Sequence, residues 1–123
     1  MVYFFVDDDQ DDQEIFGMAV GELDASIECR FASDGIEALD VLRDDTFMPA
    51  MIFLDLNMPR MNGNECLVEL KKMERLRQVP VFIYSTTSEP KLIAASMALG
   101  ATDFIVKPSG LRALTDILKK LSP

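Results

Sequence analysis

Short apolar runs alternate along this chain with longer segments in which apolar residues recur at helical spacing. The apolar runs cover residues 2–6, 51–54, 81–84 and 104–106, with a further short candidate around residues 27–31. Runs of this kind, bounded by polar residues, are typical of strands that are buried on both faces of a sheet. The pattern therefore predicts five strands, each followed by a helix.

The predicted helices follow from apolar residues spaced three and four apart, and from the residues at the helix ends. Ser33 or Asp34 can cap the second helix, whereas Pro90 suits the first turn of the fourth helix and Gly100 ends it. The predicted buried positions are Ile15, Met18, Ala19 and Leu23 in the first helix, Ile36, Leu39 and Leu42 in the second, Leu67 and Leu70 in the third, and Leu111, Leu114, Leu118 and Leu121 in the last.

Alternating strands and helices predict a doubly wound α/β fold with a five-stranded parallel sheet, because right-handed crossovers place helices on both faces of such a sheet. Of the two common strand orders, 2-1-3-4-5 brings the first and third strands together at the switch point. A chain of 123 residues, 49% of them hydrophobic, accommodates one domain of this kind. We therefore expect residues 1–123 to form a single domain.

Acidic, hydroxyl and ammonium groups follow four of the predicted strands. Asp7 and Asp8 follow the first strand, Asp55 the third, Ser85 the fourth and Lys107 the fifth. Ligands of open α/β sheets bind outside the carboxyl ends of the strands, so these side chains are expected to share one crevice. Two carboxylates about 4 Å apart repel by roughly 4 kcal/mol at an effective dielectric near 20, which favours a bound cation. A site of oxygen ligands with room for water suits Mg²⁺.

Together these groups are the parts required to form an aspartyl phosphate. A carboxylate supplies the nucleophile, a divalent cation and a lysine neutralise the phosphoryl charge, and a hydroxyl donates to the phosphoryl oxygens. Each residue alone has a more ordinary explanation, since acids favour helix amino termini and hydroxyl residues are common at strand ends. Their joint occurrence at four strand ends favours the functional interpretation.

The composition argues against several classes of function. With 12 basic and 21 acidic residues, the net charge of -9 disfavours binding to nucleic acids and anionic membranes. Two cysteines without metal-ligand spacing, in a chain without histidine, argue against a zinc site. The apolar stretches are too short to span a bilayer, and the amino terminus lacks the features of a signal peptide. We expect a cytoplasmic protein that acts through a partner.

The motifs at the strand ends resemble those of two-component response-regulator receiver domains. They are Val6-Asp7-Asp8, residues 54–59 with Met61-Asn62-Gly63, Ser85-Thr86, and residues 104–108. The resemblance covers essentially the whole chain, in order and at the family's spacings, and it also supports the strand order given above. It implies a stand-alone phosphorylation switch, similar to a chemotaxis regulator, rather than a turnover enzyme.

The resemblance implies roles for individual residues. Asp55 would accept a phosphoryl group from a phosphohistidine on a histidine kinase or histidine phosphotransfer protein. Asp8, Asp55 and the backbone carbonyl of Asn57 would hold Mg²⁺, and Asp7 would act mainly through a metal-bound water. The acidic run is long, and we choose Asp7 and Asp8 as the pair because Val6 ends the apolar strand. The remaining acids are interpreted as a solvated helix start: Asp9, Asp11 and Asp12.

Further residues belong to the implied switch. Lys107 and Ser85 would contact the phosphoryl group. Ser85 and Phe104 would then move together and alter a face formed by the fourth helix, the fifth strand and the fifth helix, which binds a downstream protein that the sequence does not identify. The bond between Lys107 and Pro108 is expected to be cis, a conformation that only X-Pro bonds adopt readily.

Two other functions are compatible with a sequence of this kind. A degenerate receiver would serve as a docking module that binds its partner without phosphorylation. A phosphatase of the haloacid dehalogenase type shares the aspartate nucleophile, but it uses a second acid two residues later as a general acid. Asn57 occupies that position here and does not readily donate a proton.

Overall fold

A computed structural model describes residues 1–122 as five parallel strands that alternate with five helices. The strands are β1 (Val2–Val6), β2 (Glu28–Ala32), β3 (Met51–Asp55), β4 (Val81–Ser85) and β5 (Asp103–Val106). The helices are α1 (Gln10–Leu23), α2 (Gly35–Leu42), α3 (Gly63–Lys71), α4 (Pro90–Ala98) and α5 (Leu111–Leu121), with a 3-10 turn at Glu74–Leu76. No helix in this part of the chain is long and apolar enough to cross a membrane.

The sheet order is β2-β1-β3-β4-β5, which confirms the predicted doubly wound fold and its strand order. Strands β1 and β3 are neighbours, and their last paired residues are Val6 and Leu54. The residues that follow this pair therefore emerge together at the carboxyl edge of the sheet. This edge is where the sequence places the candidate acids.

Two hydrophobic clusters cover the two faces of the sheet, because successive strand residues point to opposite faces. Phe4 and Val6 belong to the cluster that includes the buried residues of α2 and α3. Tyr3 and Phe5 belong to the cluster that includes the buried residues of α1 and α5. Helix α4 differs from the other four, since its buried residue is the polar Ser96.

Helix α1 is rotated relative to the prediction. Ile15 and Met18 were expected in the core, yet they are 39% and 56% exposed. Phe16 is buried instead, because its ring stacks on Phe5 of β1 with centroids 4.1 Å apart and this contact fixes the rotation of the helix. Ile36 is likewise exposed in α2. Among the other predicted core positions, Leu23, Leu111 and Leu121 are only partly buried. The remaining ones are confirmed as buried: Ala19, Leu39, Leu42, Leu67, Leu70, Leu114 and Leu118.

The expected cis bond between Lys107 and Pro108 is wrong, because residues 1–122 contain no cis peptide bond. The trans form is favoured by about 0.5–1 kcal/mol even before proline. The turn into α5 is made at Gly110, whose φ of 88° lies in the left-handed region that glycine adopts without a steric cost. The backbone N–H of Lys107 still donates to the carbonyl oxygen of Ser85, at 2.7 Å, so the predicted edge of the sheet is intact.

Candidate functional site

Three carboxylates meet at the carboxyl edge of the sheet, as the sequence predicts. Asp7 and Asp8 follow β1 and Asp55 ends β3, and each offers an oxygen within 4.8 Å of the others. Asp7 is fully buried and Asp55 is 6% exposed, whereas Asp8 is exposed to solvent. We call these three residues the acidic cluster.

The backbone around Asp7 holds the first of these carboxylates in place. Its N–H donates to the carbonyl oxygen of Ala32 at 3.0 Å, which extends the pairing of β1 with β2. Its side chain accepts a hydrogen bond from the N–H of Asp9 at 2.9 Å, and its carbonyl accepts one from the Gln13 side chain at 2.8 Å. Asp7 is therefore fixed at both its main chain and its side chain.

Lys107 supplies the positive charge of the site, and it contacts more carboxylates than the sequence predicted. Its Nζ lies 3.2 Å from Oδ2 of Asp7 and 3.6 Å from Oδ1 of Asp55. A third and shorter contact of 2.7 Å joins it to Oδ2 of Asp12. The ammonium also lies 5.4 Å from the centre of the Tyr84 ring, which adds a cation–π contact.

Sequence reasoning missed Asp12, which was assigned to a solvated helix start. Asp9 caps α1, and its side chain accepts hydrogen bonds from the N–H groups of Asp11 and Asp12. This cap places Asp12 in the first turn of a helix that begins at the same edge as the strand ends. The capping signal at Asp9 marks this helix start, but it does not show that Asp12 reaches Lys107.

Burial and neighbouring charges shift the pKa values of the site residues. Burial raises the pKa of Asp7 to about 7, and the charge of Asp55 contributes in the same direction. Burial also raises the pKa of Asp55, although Lys107 and the backbone N–H of Asn57 partly offset this effect. Burial lowers the pKa of Lys107, but the hydrogen bond to Asp12 and the charges of Asp7 and Asp55 outweigh it and raise the pKa overall. One lysine thus faces several carboxylates, and a further cation would stabilise their charged forms.

The acidic cluster fits a divalent cation. Its donors are all oxygens, two of them belong to carboxylates that burial destabilises, and the exposed Asp8 leaves the site open to solvent. The residues that would hold the ion are Asp7, Asp8 and Asp55.

The affinity for a divalent cation should increase with pH across neutrality. A cation binds ionised carboxylates, so protons compete with it at any group whose pKa lies near 7, as that of Asp7 does. We expect Mn²⁺ or Mg²⁺ to bind about tenfold more tightly at pH 8 than at pH 6, the ratio of the ionised fractions for such a pKa. Titrations followed by amide NMR measure this, with Asp7→Asn as the variant whose affinity is lower and changes less with pH. A wild-type affinity that does not change with pH would contradict the assignment.

The two predicted switch residues lie at the end of β4 and within β5. Ser85 is 1% exposed, and its hydroxyl accepts a hydrogen bond from the N–H of Thr87 at 3.3 Å. Phe104 is half-buried on β5, in register with Ile83, and packs against the cluster formed with α2 and α3. The structure therefore brings Asp7, Asp8, Asp55 and Lys107 close together, while the Ser85 hydroxyl is hydrogen-bonded to the loop that follows β4.

Known proteins that are similar to this chain include response regulators. The family model for the response regulator receiver domain matches residues 4–119. The chain superimposes on the phosphorylated cyanobacterial phytochrome response regulator RcpA with a TM-score of 0.88 and 30% identity, covering 98% of this chain and 89% of that one. It matches the Mn²⁺-bound form of the response regulator Rcp1 with a TM-score of 0.84 and 25% identity, covering 98% and 90% of the two chains.

A curated relative is much longer than this chain. The protein-glutamate methylesterase/protein-glutamine glutaminase 1 of Methanospirillum hungatei is 37% identical over 86 residues, which make up 70% of this chain and 25% of that protein. This chain thus spans a quarter of the relative's length. The activity in its name belongs to that longer protein.

Proposed function

Because this chain belongs to the response regulator receiver domain family, we propose that it is a phosphorylation-dependent signalling switch with Asp55 as its phosphoacceptor. A receiver domain is a phosphoacceptor rather than a turnover enzyme, and it typically partners with a histidine kinase. The observation that carries the proposal is the convergence of Asp55 with Asp7, Asp8 and Lys107 at one edge of the sheet. In this proposal residues 1–123 form one receiver domain that works in the cytoplasm with its kinase.

The proposed reaction is a transfer between two proteins. A carboxylate oxygen of Asp55 attacks the phosphorus of a phosphohistidine on a histidine kinase or histidine phosphotransfer protein. The P–O bond forms as the P–N bond breaks, and the electron pair of the broken bond returns to the imidazole nitrogen, which takes up a proton. Mg²⁺, when bound, supplies positive charge beside the phosphoryl oxygens, and its proposed ligands are the acidic cluster and the carbonyl of Asn57.

Lys107 and Ser85 supply the remaining contacts to the phosphoryl group. The Lys107 ammonium already lies 3.6 Å from Asp55, so a short movement brings it to a phosphoryl oxygen. The Ser85 hydroxyl leaves the N–H of Thr87 and donates to another phosphoryl oxygen. Phe104 follows into the space that Ser85 vacates, because the two residues lie on adjacent strands.

The proposed output face consists of α4, β5 and α5. Helix α4 is held by few buried contacts: Ser96 is buried, and its hydroxyl donates to the side-chain oxygen of Asn64 on α3 at 2.8 Å. Leu92 and Met97 of α4 and Val106 of β5 are each about 40% exposed, which leaves apolar surface for a partner. An element with so few buried contacts moves at a small energetic cost, so a rearrangement at Ser85 and Phe104 can reach this surface.

Amide NMR with Mg²⁺ tests the proposal, before and after beryllofluoride is added as a stable analogue of the phosphoryl group. We expect shifts around Asp55 that continue through Ser85 and Phe104 into α4 and α5. The Asp55→Asn variant, titrated in parallel, should show none of the shifts that beryllofluoride causes. If Mg²⁺ and beryllofluoride leave the wild-type spectrum unchanged, the switch is rejected and the phosphorylation-independent docking module takes its place.

A further inference from the structure

The shortest contact of Lys107 is with a carboxylate outside the acidic cluster. Its Nζ lies 2.7 Å from Asp12, against 3.2 Å from Asp7 and 3.6 Å from Asp55. The first distance is that of a charge-assisted hydrogen bond, whereas the last exceeds hydrogen-bonding distance. We propose that Asp12 is a positioning residue that holds the Lys107 ammonium away from Asp55 before phosphorylation and thereby opposes activation.

The position of Asp12 follows from the start of α1. The Asp9 cap fixes the first turn of the helix through hydrogen bonds to the N–H groups of Asp11 and Asp12, at 2.8 and 3.3 Å. Helix α1 packs against α5, and this packing sets its place beside the loop that carries Lys107. Asp12 therefore reaches the lysine from a helix, whereas Asp55 lies at the end of a strand.

Burial determines which partner Lys107 can leave. The Asp7 side chain is fully buried, so losing the lysine would leave an unpaired charge without water. The Asp12 side chain is 29% exposed, so water can hydrate it once the lysine departs. Movement of Lys107 towards a phosphoryl group on Asp55 thus breaks the contact with Asp12 first. The ion pair is a local stabilisation of the unphosphorylated state that activation must overcome.

This inference rests on the proposed function, since it concerns the lysine assigned to the phosphoryl group. We expect Asp12→Asn to bind beryllofluoride more tightly than wild type at saturating Mg²⁺. The gain should reach up to about fivefold, because a partly exposed ion pair contributes up to about 1 kcal/mol. Asp11→Asn is the matched control: it removes the same charge from an exposed position of the same helical turn, and it should change the affinity by less than about twofold.

The side-chain NMR resonances of Lys107 separate positioning from a general charge effect. Without ligand, Asp12→Asn should shift the ¹Hε and ¹³Cε signals of Lys107, whereas Asp11→Asn should leave them in place. After beryllofluoride is added, the wild-type and Asp12→Asn signals should converge, because in both proteins the lysine then contacts the phosphoryl analogue.

The outcomes are distinct. Equal affinities for the two variants, or Lys107 signals that do not respond to Asp12→Asn, overturn the positioning role while the proposed function stands. A wild-type protein that does not bind beryllofluoride at all overturns the proposed function itself, and the role of Asp12 in activation with it.

Discussion

Asparagine in place of Asp55 should reduce phosphate incorporation to background. A carboxamide is neutral and is not a competent nucleophile towards phosphorus, so no neighbouring group can restore the reaction. Incubation with a radiolabelled small acyl phosphate and Mg²⁺ measures the loss, and the wild-type label should be released by hydroxylamine, as an acyl phosphate is. Asp45→Asn is the control, since Asp45 is exposed in the loop before β3 and therefore lies at the opposite edge of the sheet.

A stability measurement tests whether the loss of phosphate incorporation is chemical rather than structural. Burial raises the pKa of Asp55, so at neutral pH its charged form costs folding free energy. This cost decreases as the pH falls below the raised pKa and is gone only below the ordinary pKa of an aspartate. A neutral asparagine removes the cost, and we expect Asp55→Asn to melt at the same temperature as wild type or higher when no divalent cation is present. Label that persists in the variant would move the acceptor to another residue and refute the assignment of Asp55.

The strands and the acidic cluster were predictable because both depend on local sequence. An apolar run that ends in Asp7 or Asp55 specifies a buried strand and also the edge at which its carboxylate emerges. The family resemblance supplied the roles within that cluster. The rotation of α1 was not predictable in this way, because Ile15 and Phe16 are both apolar and stacking on Phe5 decides which of them is buried.

The contact of Asp12 with Lys107 was also unpredictable, because it too depends on tertiary packing. In sequence, Asp9, Asp11 and Asp12 are equivalent acids at a helix start, and only one of them reaches Lys107, which lies 95 positions further along the chain. Such a contact depends on how α1 packs against α5 rather than on local propensity. The Lys107–Pro108 bond is a different case, since the expected cis form came from the resemblance alone and the structure has it trans.

Gly63 lies where helix α3 approaches the backbone of Asp55 in the candidate site. It is the first residue of α3, and its N–H donates to the carbonyl oxygen of Leu56 at 3.0 Å. A Cβ at this position would collide with the carbonyl oxygen of Asp55, and it would lie 3.0 Å from the carbonyl carbon of Asp55 and 3.1 Å from the Cα of Leu56. These are backbone atoms at the end of a buried strand, so they cannot give way as a flexible side chain would.

Gly63→Ala should therefore destabilise the protein and displace the acceptor together. We expect a loss of about 1–3 kcal/mol in the free energy of unfolding, which is typical of an overpacked core. Gly21→Ala is the matched control, because Gly21 lies in the exposed interior of α1 with nothing within 4 Å of an added Cβ, and alanine there should stabilise the helix by about 0.5–1 kcal/mol. Urea unfolding of the two variants measures the difference, and beryllofluoride affinity under conditions where both remain folded reports the position of Asp55. If Gly63→Ala matches Gly21→Ala in both measurements, the close approach of α3 to Asp55 does not hold the acceptor in place.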